Sequence, residues 1–427
     1  MKGTPYSLLQ VESKFSCICS IGAQLSLVAL FTFPMLPLQV PNIIFMLFAL
    51  FSIAQWIING KPSIWKKLGI SFIITIPFIP YLIEYLFFHN YPTVGFEMEK
   101  KFLFFIAPLI FAFYTSTSKL LNFRVYIRTF AISIILLSAY TLIHLITCDI
   151  LFTTSFYAGD SSTLRIKFED ISHLHPTYFG FFATISILWI LYDFKNLSNS
   201  LKWFFGVSGI VMAFLNFLVA SKMPLFILIL GSFFLLYKIT VKKKHLLVTY
   251  AAMLVSFVLL LLIIPSLRER MFEMKDIMAT NYTDNNSVLE RKVIFASSMN
   301  LFKSYFWFGL GCRNTQAALN LSYAAIHFLP GVIKQYNSHN QFLTLGISYG
   351  VFDVLFFISS VLFVFYKQRR SAFAFVLIAS ICLTMLTESI LERQMGVYFY
   401  VLFMLIFING VSVLFKQEGY QPEQTLP

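Results

Sequence analysis

Charge is what this chain has least of. Asp, Glu, Lys and Arg together make 12% of its 427 residues, whereas hydrophobic types make 58%. A water-soluble domain of that composition would expose large apolar patches, so a soluble enzyme or soluble binding module is excluded. Cysteine is scarce as well: five residues, at positions 17, 19, 148, 312 and 382, show no metal-ligand spacing. Only Cys148 and Cys312 fall where a disulfide is conceivable. Missing altogether are a Gly-Lys-Ser/Thr phosphate loop and a dinucleotide-binding glycine fingerprint, which argues against ATP-driven or nicotinamide chemistry. There is no Asp-x-Asp pair to hold a metal-bound nucleotide sugar, and Glu97-Met98-Glu99 is its sole near relative. The expectation is chemistry with no metal and no cofactor.

What the chain has instead is apolar length. Runs of about twenty residues, each long enough to span a bilayer, centre on 17–38, 41–59, 68–88, 101–115, 124–147, 174–192, 202–219, 222–238, 246–265, 341–366, 371–388 and 395–415. They predict an all-α polytopic membrane bundle of about twelve transmembrane helices, forming one integral membrane domain over 1–427. With the N-terminus inside, the basic loops Lys61/Lys66/Lys67, Lys119/Arg124/Arg128, Lys195/Lys202, Lys238/Lys242/Lys243/Lys244 and Lys367/Arg369/Arg370 all fall on the cytoplasmic side, as the positive-inside rule requires. Both termini are then cytoplasmic. Met1–Ser16 precedes a full-length apolar run without a small-residue cleavage site and reads as part of a retained first helix. The formal charge of +13 and pI near 9.4 thereby become a topology signal, and nucleic-acid binding is not implied.

One long polar interruption remains, residues 266–340, which the topology puts outside as a partly helical periplasmic loop. Ser287-Val288-Leu289-Glu290 has the pattern of a capping box and predicts a helix to about Phe308. Val288, Phe295, Met299, Phe302 and Phe306 recur at helical spacing and define its apolar face, on which Arg291 also falls. A guanidinium turned inward needs an anion. Either it pairs with a carboxylate such as Glu388 or Asp284, or it clamps a phosphate. Gly309 and Gly311 end the helix in tight turns, and Arg313 just beyond is a second candidate phosphate ligand.

His339 stands where the chain re-enters the membrane, with Asn337 or Ser338 placed to cap the tenth span and Asn340 beside it. Unpaired amides at a helix start welcome an anionic ligand, while a bland interfacial histidine is the competing reading. Gly346 and Gly350 follow on the same face as a small-xxx-small packing motif. Lys222, in the turn Ala220-Ser221-Lys222-Met223-Pro224, is held at the outer membrane edge, where snorkelling is the ordinary fate of a lysine. His173 and His175 open the sixth span two residues apart, a spacing that cannot share one helical face, so they do not form a metal pair. Glu388, in the turn Glu388–Arg393, either pairs with Arg393 or serves a site. Asp353, about three turns into the tenth span, is the one ionisable residue that would suit a transporter.

Taken together, Glu290-Arg291 at the head of a loop helix, Phe308-Gly309-Leu310-Gly311, Ser338-His339-Asn340-Gln341-Phe342-Leu343 followed by Gly350, and the preceding Ala-Ser-Lys-Met-Pro turn resemble the O-antigen ligase and O-antigen polymerase superfamily, over roughly residues 170–410. The resemblance implies an integral inner-membrane glycosyltransferase, metal-independent, that takes glycan from undecaprenyl diphosphate at the periplasmic face. A ligase passes it to lipid A core and a polymerase passes it to another lipid-linked repeat. It implies roles for Arg291 as the loop arginine, for His339 as the loop-end histidine that would act as base and for Lys222 as a second diphosphate ligand; Asn340, His175 and Glu388 are supporting candidates from the residues themselves. Lys222 is a departure, because the family pattern has an arginine there and lysine lacks its bidentate fork. A lipid-linked glycan flippase or secondary transporter is the alternative from another class.

Overall fold

The computed structural model describes residues 6–157, 160–239, 264–272 and 287–410, together with isolated positions between 248 and 263. Among the described residues the chain is helical, without a strand: α1 Tyr6–Leu30, α2 Gln39–Ile58, α3 Trp65–Ser71, α4 Ile79–Phe88, α5 Pro92–Lys101, α6 Leu103–Thr117, α7 Phe123–Thr147, α8 Ser161–Ser172, α9 Pro176–Asp193, α10 Asn199–Val219, α11 Lys222–Ile239, α12 Pro265–Phe272, α13 Ser287–Ser304, α14 Cys312–Ala325, α15 Leu329–Ile333, α16 Gln341–Gln368, α17 Ala372–Met385 and α18 Gln394–Asn409. Five helices are long and apolar enough to cross a membrane, α2, α7, α9 (continued to Asn196), α10 and α16. A sixth crossing arises if the segments Trp65–Ile74 and Ile76–Phe88, bent by 60°, count as one broken span. Pro77 and Pro80 lie at that bend, where their rings and missing amides interrupt a helix. Helices thus overlie most of the expected spans, but length and hydropathy mark five or six of them, not twelve. The expected span 246–265 falls largely outside the described residues.

Amphipathicity decides which helices are central. In α9, apolar on all sides, 83% of the best membrane window is buried, against 28% in α2. A helix that is hydrophobic all round belongs in the middle of a bundle. From Gly396 to Ile408, α18 is likewise buried residue after residue. Their phenylalanines interlock with those of α7 and the turn after α1: Phe182 and Phe399 stack with ring centroids 5.2 Å apart, and Phe130 meets Phe403 edge-on at 5.4 Å. In lipid such shape-matched contact and satisfied polar groups hold helices together, because lipid tails are as apolar as the core. Asn216 supplies one such polar tie, donating from Nδ2 to Thr184 Oγ1 across 2.9 Å.

The loop helices differ from expectation in three ways. First, α13 stops at Ser304 instead of Phe308, and its buried side carries Leu289, Ile294, Ser297 and Ser298, while Phe295 and Phe306 are exposed. The apolar spacing had marked a neighbouring face; packing against α14 and α16, through Ile294, Leu319, Tyr323, Phe328 and Ile347, sets the rotation. The side chain of Ser287, and with it the capping box, lies outside the described residues, as does Asp284. Secondly, Asn340 caps α16, its Oδ1 accepting from the Leu343 amide at 3.0 Å, while Asn337 Oδ1 accepts from the His339 amide. Thirdly, Gly350 is a break inside α16, with φ of 79° and ψ of −173°.

That break is filled by backbone. Leu310 and Gly311 amides donate to Ile347 and Ser348 carbonyls, both at 2.8 Å, and the Val351 amide donates to Phe306 O at 2.8 Å. A Cβ on Gly350 would sit 2.1 Å from Trp307 O, so only glycine permits the approach. Gly346 does make the close helix contact expected of it, lying against the Phe302 ring. Cys148 and Cys312 are both free, one exposed and one buried.

Candidate functional site

The site gathers around one carboxylate. Glu388 follows α17, in the turn leading to α18, and is buried to 7% exposure. Arg291, from the first turn of α13, reaches it with Nη2 donating to Oε1. His339 Nδ1 lies 3.1 Å from Oε2. Three segments far apart in sequence therefore converge on two oxygens. Arg291 is on the exposed side of its helix, not the inward side, and its length lets it fold over to Glu388 while the side chain stays 42% exposed. His339 is 27% exposed, so both side chains keep an open side.

Local folding explains why His339 points there. Its backbone has a positive φ of 46°, uncommon for a non-glycine residue, and it is pinned on both sides. Asn337 accepts its amide, while Ser338 Oγ is bonded to Asn340 O at 2.8 Å and to Thr344 Oγ1 at 2.6 Å. Asn340 Nδ2 donates to Leu386 O at 3.0 Å, and Thr344 Oγ1 lies 2.9 Å from Ser389 Oγ, which ties the start of α16 to the turn bearing Glu388. The Tyr336 ring packs edge-on against the imidazole at 5.6 Å, and its hydroxyl donates to Glu290 Oε2 at 3.3 Å.

Burial alone would raise the Glu388 carboxyl, yet the hydrogen bond from His339 and the Arg291 charge outweigh it and hold the group at about 2. It is an anion throughout the neutral range. His175 caps α9, its Nδ1 accepting from the Thr177 amide at 3.3 Å. Burial, then the charge of Arg393, push it down to about 4, with Glu388, Arg165 and His339 also within electrostatic reach. His175 is therefore neutral and joins the cluster through its field.

Lys222 begins α11, and no described contact links it to Glu388 or Arg291. Beside it, Arg165 of α8 donates from Nη1 to Val219 O at 2.6 Å and contacts Ser221 Oγ at 3.4 Å. Arg165 satisfies a carbonyl at the end of α10, where Ala220 adopts a left-handed conformation. Sequence reading missed Arg165, although Asp160 capping the Ser162 and Thr163 amides marks the helix that carries it. Arg393, the partner the sequence offered for Glu388, instead pairs loosely with Glu169 at 3.9 Å and lies over the Tyr178 ring, so Glu388 is left to Arg291 and His339. Arg313 is not brought to this cluster. Its guanidinium lies over the Phe88 ring at 4.0 Å and 3.9 Å from Glu84, whose carboxylate accepts the Cys312 and Arg313 amides and the Tyr349 hydroxyl.

Chemically, the cluster offers an oriented imidazole, a guanidinium with donors to spare and a fixed anion that holds both. Among the described residues no group of three His, Cys, Asp or Glu side chains is arranged to hold a metal ion. No curated protein matches the chain. Residues 207–358, a segment that includes Lys222, Arg291 and His339 and the Gly350 break, match the family model described as O-antigen ligase.

Proposed function

We propose that this protein is a glycosyltransferase of the O-antigen ligase type, transferring glycan from undecaprenyl diphosphate to lipid A core at the periplasmic face of the bacterial inner membrane. In this reading 1–427 is one membrane domain with both termini cytoplasmic and the 266–340 loop outside. The observation that carries it is the placing of His339 Nδ1 against Glu388 Oε2. A carboxylate at Nδ1 keeps the proton on that nitrogen and leaves Nε2 with its lone pair, the arrangement that suits a general base. Nε2 takes the proton of the acceptor hydroxyl as the hydroxyl oxygen bonds to the anomeric carbon. The bond from that carbon to the diphosphate oxygen breaks, and lipid diphosphate leaves.

Negative charge grows on the departing diphosphate, so fixed cations beside it stabilise the transition state more than the ground state. Arg291 gives one nitrogen to Glu388 and retains further N–H donors for phosphate oxygens. Lys222 supplies a second positive charge from the turn that Arg165 holds. Asn340 shapes the start of α16, and neutral His175 adds no competing charge.

Arg291→Ala and His339→Ala test this on surface glycan resolved by gel: loss of long-chain glycan at normal protein abundance is expected, and unchanged glycan from both overturns it. A deletion strain separates ligase from polymerase. Bare core with accumulated lipid-linked polymer supports the ligase, whereas core bearing one repeat supports O-antigen polymerase. A flippase or transporter is the second reading, favoured by two helix breaks and by Asp353, buried to 2% with both carboxylate oxygens lacking a partner. Lipid-linked repeats trapped on the cytoplasmic side of the deletion strain would establish that alternative. Against it, the Gly350 break is closed by the loop backbone and leaves no open ion path there.

A further inference from the structure

The break at Gly350 divides α16 into two unequal parts. In an unbroken helix Phe342 and Phe357 would stand about 22 Å apart along the axis, yet their ring centroids are 5.9 Å apart. Gly350 therefore turns 341–349 out of line with 351–368. The longer part, about 27 Å at about 1.5 Å per residue, nearly matches a hydrocarbon core of about 30 Å on its own. Along it Phe352, Phe356, Leu362 and Tyr366 form an exposed stripe, whereas no residue of 341–350 is exposed. Tyr366 ends the stripe beside Lys367, Arg369 and Arg370, with the Arg369 guanidinium 4.2 Å from its ring centroid.

At the opposite end, the Leu310, Gly311 and Val351 amide bonds clamp the backbone of 306–311 across the break. That clamp decides which side chains stand at the head of the stripe. The sequence there is Tyr305-Phe306-Trp307-Phe308, and no charged residue lies between Lys303 and Arg313. Phe308 is 80% exposed, and Tyr305 and Trp307 are exposed as well. The Trp307 and Phe308 rings lie 5.9 and 6.1 Å from that of Phe352, so the aromatic patch and the stripe are one continuous surface. A contiguous exposed aromatic patch marks an interaction surface, and the surface it continues is the outward face of a membrane span. Trp and Tyr gather at the two membrane–water boundaries, where one end of the ring system is apolar and the other wet. Here they stand at both ends of the stripe, Tyr366 at one and Tyr305 with Trp307 at the other.

We propose that residues 305–308 are a membrane anchor whose aromatic side chains bind the headgroup–acyl boundary of the bilayer, so that Gly350, and not His339, marks where α16 leaves the hydrocarbon. The test uses the full-length protein in nanodiscs and reads Trp307 as the difference between the tryptophan emission of the parent and that of Trp307→Phe, which leaves the clamping backbone in place. Bromine high on the phosphatidylcholine chains should remove most of the difference emission, bromine near the chain ends less of it, and aqueous acrylamide least. Phe308→Trp, read against the parent, adds a second reporter with Trp307 unchanged and should give the same order. Quenching by acrylamide with no response to either bromolipid would put 305–308 in water and overturn the anchor. Stronger quenching from the chain ends would place Gly350 inside the hydrocarbon and overturn the boundary. No quenching by any of the three would mean that protein covers the patch, and lipid would not be its partner.

Discussion

Two charged clusters meet on the short turn 388–393, and they are built from the same ingredients. Glu388 holds Arg291 and His339. One turn on, Glu392 and Glu97 hold Lys100 and Lys101: Lys101 Nζ lies 2.9 Å from Glu392, donates to Leu391 O at 2.7 Å and is wholly buried, while Lys100 reaches Glu97 at 2.6 Å. In this second cluster each ammonium faces a carboxylate. Burial and the neighbouring Glu392 raise the Glu97 carboxyl, whereas at Glu392 the two ammonium groups outweigh burial and keep it low. The first cluster is left open, with Arg291 42% and His339 27% exposed. Charge type does not separate a site from a scaffold here; leftover hydrogen-bonding capacity facing outward does. Lys101, together with Gln341 accepting the Leu391 amide and Tyr178 donating to Ile390 O, fixes the turn on which Glu388 stands.

The largest expected effect lies in the open cluster. His339→Gln keeps a polar side chain but removes the base, and a positioned general base typically contributes about 10²–10⁴ in rate. In vitro transfer from lipid diphosphate donor should fall by that factor while the thermal midpoint of the purified protein stays put. A comparable fall in thermal midpoint would place His339 with the scaffold and erase the contrast.

Lys101→Met should do the reverse. Removing the buried partner leaves Glu392 with only Lys100 at 3.9 Å, and breaking a buried ion pair costs about 3–5 kcal/mol. The expected result is poor accumulation of folded protein, measurable by size-exclusion profile in detergent. Adding Glu392→Leu should recover most of it, since two apolar side chains replace the pair. A Lys101→Met protein that folds normally but transfers nothing would move Lys101 into the chemistry.

How far could the sequence take this distinction? Apolar run length was enough for an all-helical membrane bundle, and the cost of leaving a guanidinium without an anion put Glu388 among the candidate partners of Arg291, beside Asp284 and a phosphate, although Arg291 stands on the exposed side of its helix and not the inward one. Rotation of α13 was not readable, because its two flanking faces both carry apolar residues and the choice is made by Ile294 and Ile347 packing in three dimensions. Gly350 read as a packing glycine, since nothing local tells a close helix contact from a break; the backbone of residues 306–311 that fills the break is forty residues away. Arg165 escaped notice for the same reason. Its partners, Val219 and Ser221, are over fifty positions on, so the turn at 220–224 does not show in sequence which cation meets it.

Acid sharpens the comparison at a smaller scale. His175 is held near 4 in the fold, below its ordinary 6.5, so the unfolded chain takes up a proton first and stability falls as pH drops from about 6.5 toward 4. Glu388, held near 2 against an ordinary 4.5, contributes stability above about 4.5 that is lost as pH falls toward 2. Between pH 7 and pH 5 only His175 acts of these two, with a loss of at most about 2 kcal/mol. His175→Gln should flatten the thermal midpoint over that interval. An unchanged slope would remove His175 from the buried surroundings of the cluster.

The smallest effect is expected at Arg313, and it bears on how far the open cluster extends. Arg313 stands two residues past the Phe308-Gly309-Leu310-Gly311 turn, yet its guanidinium lies on Phe88 and near Glu84, 31% exposed, with no described contact to Arg291 or His339. Glu84 keeps two backbone amides and the Tyr349 hydroxyl without it, so no buried charge is stranded. Arg313→Gln should cost about 1 kcal/mol or less, the scale of a half-exposed cation over an aromatic ring. Transfer should stay within about twofold of the parent protein in the same lipid-linked donor assay. A loss of tenfold or more at unchanged thermal midpoint would mean that Arg313 swings to the diphosphate when donor binds, and the open cluster would then include α14.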